Sequence, residues 1–371
     1  MRYMKTLLAF TFLFLAITTQ AADTLYQPKN ILATMERVAD WQLKRWADSG
    51  SRHRWWDWTN AAGYTGIYAL STISSNDAYV KSLIDKGTIL EWQTGPRRFH
   101  ADDYCIGQTY SLLYSKYKDE KMIANFKLLA DSIVAIPHDE SLEWKNKIAD
   151  REWAWCDALY MAPTALAYLS TVTAEKKYLD IATKLWWKTT DYLYDPAAHL
   201  YARDGSFLGK KEKNGEKVFW SRGNGWVFAG LVRMLENMPK DYPDRKRFEK
   251  LYQEMAKTIA GLQQPDGSWH ASLLDPASYP IKEMSGTGFF TYGFLWGINN
   301  GLIKKKKYLP LVKKSWVALN TAIQADGKLG YIQPIGAAPD KVDENSTEIY
   351  GVGAFLLAGS ELYKMTLKSL P

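Results

Sequence analysis

Helical periodicity runs through nearly the whole chain, and the start of every second helix gathers Gly, Trp, Asp and Asn. Apolar residues recur at helical spacing over 29–46, 61–71, 78–87, 103–116, 119–136, 155–171, 174–194, 224–237, 245–263, 286–301, 306–322 and 349–366. Turn-formers such as Ser49-Gly50-Ser51, Gly95-Pro96, Asp195-Pro196, Pro265-Asp266-Gly267 and Asp326-Gly327 separate them, and strand alternation is scarce. The polar and glycine clusters fall at 55–66, 102–107, 153–157, 222–226, 283–288 and 349–353. Twelve helices whose alternate members share a signature predict six hairpins closed into an all-α (α/α)6 barrel. No Pro- or Ser-rich linker divides residues 23–371, so they read as a single domain. The six inner helices would then present their N-termini to one rim. Free N–H groups and the helix dipole there favour anions.

The first 22 residues read differently. Arg2 and Lys5 precede an apolar run from Leu7 to Ile17, and small residues end at Ala21-Ala22. That pattern predicts a secretory signal peptide over 1–22 and an exported, more specifically periplasmic, protein without a membrane anchor. Its removal would take two cations and no acids from the chain's +7, leaving a modest +5. Such a balance suits a small acidic substrate. The basic run Lys304–Lys307 reads as a solvated helix end, and no nucleic-acid motif is present. The only cysteines, Cys105 and Cys156, read as buried free thiols. Aromatic residues make up 14%, with 16 Trp and 23 Tyr, side chains that join an apolar face to a polar handle and suit a sugar cleft.

Three stretches could carry chemistry. In Trp153-Ala154-Trp155-Cys156-Asp157-Ala158-Leu159-Tyr160-Met161, an Asp sits among apolar groups. Burial there would raise its proton affinity and suit a general acid; the alternative role is a helix N-cap. In Asp102-Asp103-Tyr104-Cys105, one acid reads as an N-cap and the other as a cavity carboxylate. Two carboxylates from separate elements are the minimum for acid/base glycoside chemistry. In Trp220-Ser221-Arg222-Gly223-Asn224-Gly225-Trp226, the glycines imply a tight bend at a helix start. Arg222 could fork onto a carboxylate, Trp226 could stack on a sugar, and Asn224 joins the candidate substrate contacts. His270 reads equally as a ligand contact or a hydrogen-bonded loop residue. The five histidines show no H-x-x-x-H spacing or pairing with Cys, and neither G-x-S-x-G nor Walker A occurs, so no metal and no cofactor are expected.

Trp155 to Met161, Arg222 to Trp226 and Glu283 to Gly288 resemble, in order, the unsaturated rhamnogalacturonyl and glucuronyl hydrolases of glycoside hydrolase family 105, related to family 88. The resemblance spans about residues 30–366. It implies an (α/α)6 barrel without a metal, acting on lyase-made oligosaccharides that end in a 4,5-unsaturated uronic acid. It also implies hydration of the enol ether, with a proton added at C4 and water at C5, after which the hemiketal opens and expels the leaving sugar. By resemblance Asp157 is the general acid/base and Asp102 or Asp103 the second carboxylate. Arg222, Trp226 and Met161 match substrate contacts, and Trp58 falls near a sugar-contacting aromatic. Arg203 is a further candidate contact. The leaving sugar stays open among rhamnose, galactose and glucosamine, and the expected assembly is a monomer or weak homo-oligomer. Rival readings are an inverting glycosidase or a sugar epimerase on the same barrel, or an exported glycan-binding protein.

Overall fold

The computed structural model describes residues 24–143 and 149–368; the expected signal peptide at 1–22 lies outside them. Twelve long helices account for most of the described chain: α1 (Pro28–Ser49), α2 (Trp58–Ser71), α3 (Ala78–Ile89), α4 (Ile106–Tyr117), α5 (Lys121–Val134), α6 (Ala158–Thr173), α7 (Lys176–Leu193), α8 (Ser221–Asn237), α9 (Arg245–Gly261), α10 (Met284–Asn299), α11 (Lys305–Asn320) and α12 (Ile349–Leu367). Two short antiparallel ribbons interrupt them. β1 (Tyr194–Asp195) pairs with β2 (Leu200–Tyr201), and β3 (Trp269–His270) with β4 (Lys282–Glu283).

The even-numbered helices form a closed ring, each packing on the next and α12 returning to α2. Each odd-numbered helix lies outside its partner, with α3 on α2, α5 on α4, α7 on α6, α9 on α8, α11 on α10, and α1 closing onto α12. This is the expected (α/α)6 barrel. Its two layers follow from the side chains. Outer helix α9 buries Phe248, Leu251, Tyr252, Met255, Ala256 and Ile259, a single apolar stripe at helical spacing. Inner helix α10 is buried continuously from Met284 to Ile298, because it has neighbours on every side. Where α2 meets α12 the backbones nearly touch. A Cβ on Gly66 would lie 2.3 Å from the Gly353 carbonyl oxygen, so any larger residue there would push the ring open.

The glycines of 222–226 do not form the expected bend. α8 begins at Ser221, and Gly223 and Gly225 lie inside its first turns. Their role is close packing. A Cβ on Gly225 would meet the Phe289 Cβ at 3.2 Å, and one on Gly223 would meet the Trp220 ring at 3.1 Å. Both cysteines are buried free thiols, as expected.

Candidate active site

The inner-helix N-termini share a rim, but they are not all available to a ligand. The Asp57 carboxylate caps α2 through Thr59 N–H at 2.9 Å, and Glu283 caps α10 through Ser285 and Gly286 N–H at 2.9 and 2.7 Å. No side chain caps α6 or α8. Beside those two starts lies a cleft of about 150 Å³ lined by Trp58, Asp102, Trp155, Asp157, Met161, Arg203, Trp220, Ile335 and Gly336. Against the roughly 300–1,000 Å³ of pockets for larger ligands, a cleft this small suits the end of a sugar chain rather than a stretch of polymer.

Asp157 occupies the position before α6, yet its side chain makes no capping bond. It faces the cleft instead. The turn that brings it there includes Trp153 at a φ of 61°, a conformation that costs a bulky residue about 1–3 kcal/mol. Trp153 is held by its indole N–H, which donates to Phe99 O at 3.0 Å, and by its own carbonyl, which accepts from Thr189 Oγ1 at 2.8 Å. The expected purely apolar surround for Asp157 is not what forms. Arg203 Nε lies 3.4 Å from Asp157 Oδ2, and the buried Cys156 Sγ lies 3.5 Å from the same oxygen.

The adjacent acids at 102 and 103 separate cleanly. They share a 3-10 turn, Ala101–Tyr104, which points them in different directions. Asp103 is fully buried away from the cleft. It accepts from Arg97 N at 2.5 Å, Arg97 Nε at 3.1 Å and Arg97 Nη2 at 2.6 Å, so it ties down the loop before the turn. Asp102 faces the cleft, 3.8 Å from Arg97 Nη2. Its N–H donates to His100 Nδ1 at 3.3 Å, and the His100 ring packs on Trp155 at 4.9 Å. Burial pushes His100 down to about 4, with the charges of Arg97 and Arg203 adding, so the imidazole is neutral at ordinary pH.

Burial also pushes the Asp102 carboxyl up to about 7 from the usual 3.8; Arg97 pulls it back, and the charges of Asp157, Asp103 and Asp57 add to the rise. A raised carboxyl binds its proton more tightly folded than unfolded. The stability it contributes is therefore full below about pH 4 and is lost as the pH climbs through 7. Asp102→Asn, which cannot ionise, is expected to melt about 2–4 °C above the wild type at pH 8. Thermal melts at pH 5 and pH 8 check this, and the gap should narrow at the lower pH.

Several expected contacts stand elsewhere. Arg222 is 1% exposed and does not line the cleft. Its Nη1 and Nη2 donate to the carbonyls of Gln333 and Pro334 at 2.5 and 2.9 Å, and its guanidinium lies over Trp220 at 4.4 Å. It therefore anchors the loop that carries Ile335 and Gly336. Asn224 exchanges hydrogen bonds with the Tyr201 backbone at 2.8 and 3.0 Å and so pins β2. Trp226 is fully buried, packed on Tyr160, Phe289 and Trp58 at 4.8, 4.3 and 6.0 Å. It forms the floor beneath Trp58, which in turn stacks on Tyr350 at 5.4 Å. His270 sits on β3, its Nδ1 3.2 Å from Pro276 O, outside the cleft lining. Trp58, Met161 and Arg203 do line it. Trp155, Trp220, Ile335 and Gly336 complete the wall without having been singled out as contacts. Trp155 and Trp220 stood inside the aromatic motifs, whereas no local signal marks 335–336. Among the described residues no cluster of His, Cys, Asp or Glu has metal-holding geometry.

The profile of Glycosyl Hydrolase Family 88 matches residues 34–366. An unsaturated 3S-rhamnoglycuronyl hydrolase of Formosa agariphila is 40% identical over 322 residues, covering 83% of this chain and 85% of that protein. An enzyme of the same description from an Alteromonas species is 36% identical, covering 82% of this chain and 77% of the relative. A solved structure described as a glycosyl hydrolase family 88 protein from Bacteroides vulgatus superposes with a TM-score of 0.81 at 34% identity, covering 91% of this chain and 99% of that one.

Proposed function

Given that the chain belongs to Glycosyl Hydrolase Family 88, and is thus a glycosidase, we propose that it removes a 4,5-unsaturated uronic acid from the non-reducing end of lyase-made oligosaccharides. Within that wider group the motifs favour the family 105 type. The leaving sugar we assign is rhamnose, in keeping with the substrates named for the two relatives.

The observation that carries this reading is the cleft itself: two carboxyl groups, one guanidinium and an aromatic wall in a space for one terminal sugar. Trp58, half-buried, offers its ring to the pyranose, and the buried Trp155 and Trp220 wall the cleft around it. Arg203, not Arg222, is the cation placed to meet the uronate carboxylate. Asp157 donates a proton to C4 of the enol ether, and positive charge develops at C5. A nearby carboxylate stabilises that charge. Water adds at C5 and returns its proton to Asp157, which leaves the enzyme unchanged. The resulting hemiketal opens and releases the leaving sugar. Asp102, whose carboxyl burial pushes up to about 7 with the charge of Asp157 adding to the rise, lines the same cleft.

Loss of the ultraviolet absorbance of the conjugated C4=C5 uronate tests the proposal. Lyase digests of polysaccharides with alternating uronate and rhamnose should lose absorbance fastest. Reducing sugar released from saturated polymer, with no absorbance loss on any digest, would refute it. A chelator is expected to leave the rate unchanged, since every step uses side chains of the protein. The basic start, apolar run and Ala21-Ala22 end of the first 22 residues support export to the periplasm, where small lyase products are trimmed. Mass measurement of the N-terminus recovered from that compartment checks it.

A further inference from the structure

We propose that Arg203 makes arming of the acid depend on the substrate: the uronate carboxylate takes the guanidinium away from Asp157, and the Asp102–Asp157 pair takes up a proton from solvent in exchange. This rests on the uronide reading above.

The geometry gives Arg203 one tight and one longer carboxylate contact. Its Nη1 donates to Asp204 Oδ2 at 2.7 Å. Asp204 is buried and itself held by Ser206 N–H at 2.7 Å. The Arg203 carbonyl accepts from Cys156 N–H at 2.8 Å, and Trp155 bridges to Asp204. The guanidinium therefore keeps its place, while its contact with Asp157, at 3.4 Å, is the weaker one. A carboxylate entering the cleft competes for that weaker contact, and among the described residues Arg203 is the only cation in the cleft lining. Burial works against the charge of Arg203, yet the carboxylates of Asp157 and Asp204 outweigh it, so the guanidinium stays charged throughout.

Charge balance then requires a proton. At rest at pH 8 one guanidinium faces the carboxylates of Asp102, Asp157 and Asp204. Adding a uronate would leave a third uncompensated negative charge in a space where such charges are costly. Uptake of one proton restores the resting balance. The other titratable groups facing the cluster do not take up that proton near neutral pH. His100, on the segment before the 3-10 turn, is pushed down to about 4 and is too weak a base to accept it at pH 8. The Cys156 thiol is pushed well up by burial and keeps its proton. Arg97 is engaged by Asp103, and Asp57 is engaged in capping α2. The titrating capacity near neutral pH lies with Asp102, whose carboxyl burial pushes up to about 7 beside Asp157 in the same cleft. The exchange places a proton beside C4 only when a uronate is bound, and a neutral sugar leaves Asp157 paired with Arg203.

Isothermal titration calorimetry of the wild-type protein at pH 8 tests this, in two buffers of different ionisation enthalpy. The probe is methyl β-D-glucuronide, a saturated uronide that has no double bond to hydrate. The expected result is uptake of about one proton per uronide bound. Arg203→Met, with no guanidinium to exchange, is expected to bind the uronide without uptake or not at all. Uronide binding to the wild type with no proton uptake, undiminished uptake in Arg203→Met, or failure of the uronide to bind the wild type would each overturn the proposal. Absorbance loss on unsaturated oligosaccharides judges the hydrolase reading separately, so the two can fail independently.

Discussion

Asp157→Asn is expected to lower kcat on an unsaturated uronide by about 10²–10⁴-fold, the range that a positioned proton donor supplies, with little change in KM. An amide keeps the size of the carboxyl but cannot give a proton to C4. The fold should barely register the change, because the Asp157 side chain caps no helix and its one ion pair, to Arg203, is at 3.4 Å. A melting temperature within about 2 °C of the wild type is the expected companion result, since Arg203 keeps its tighter carboxylate partner, Asp204, at 2.7 Å. Steady-state kinetics beside a thermal melt separates the two effects. Ordinary turnover in the variant would remove Asp157 from the mechanism, and a large drop in melting temperature would recast it as a structural residue.

The second large effect concerns the two arginines, Arg203 and Arg222. Arg222→Met is expected to cost about 1.5–3 kcal/mol, because the Gln333 and Pro334 carbonyls lose a charged donor, and to lower the melting temperature by about 3–6 °C. Its activity loss should be the same on an acidic substrate and on its methyl ester, since both Nη groups of Arg222 are engaged by the carbonyls of Gln333 and Pro334. Arg203→Met should behave in the opposite way. KM for the acid is expected to rise about 10–100-fold, the equivalent of losing a charge-assisted hydrogen bond, while the ester is affected much less. Parallel measurement of both variants on both substrates decides which arginine reads the carboxylate. Greater loss on the acid in Arg222→Met would return that role to Arg222.

These two cases mark where reading along the chain stops. Spacing alone located twelve helices and their alternation, because a helix buried on all sides, such as α10, and one with a single apolar stripe, such as α9, are written differently in the sequence. It also located Asp157, whose apolar neighbours Trp155, Cys156, Leu159 and Met161 are contiguous with it. The direction of a side chain on an irregular turn is another matter. Asp102 and Asp103 are adjacent and chemically alike, and the 3-10 turn sends one into the cleft and the other to Arg97. Nothing in local spacing distinguishes them. Arg222 looks like a substrate grip in one dimension, since its motif is rich in glycine and tryptophan; in three dimensions the loop at 333–334 arrives from more than a hundred residues away and takes both its Nη groups. The sequence by itself determined the barrel, the rim at which its inner helices begin and the aspartate, Asp157, that faces the cleft. Tertiary structure alone decided which carboxylate and which guanidinium share the cleft with Asp157. Helical periodicity is a property of neighbours in the chain, whereas hydrogen-bond partners of buried charges are assigned by whatever segments packing brings together.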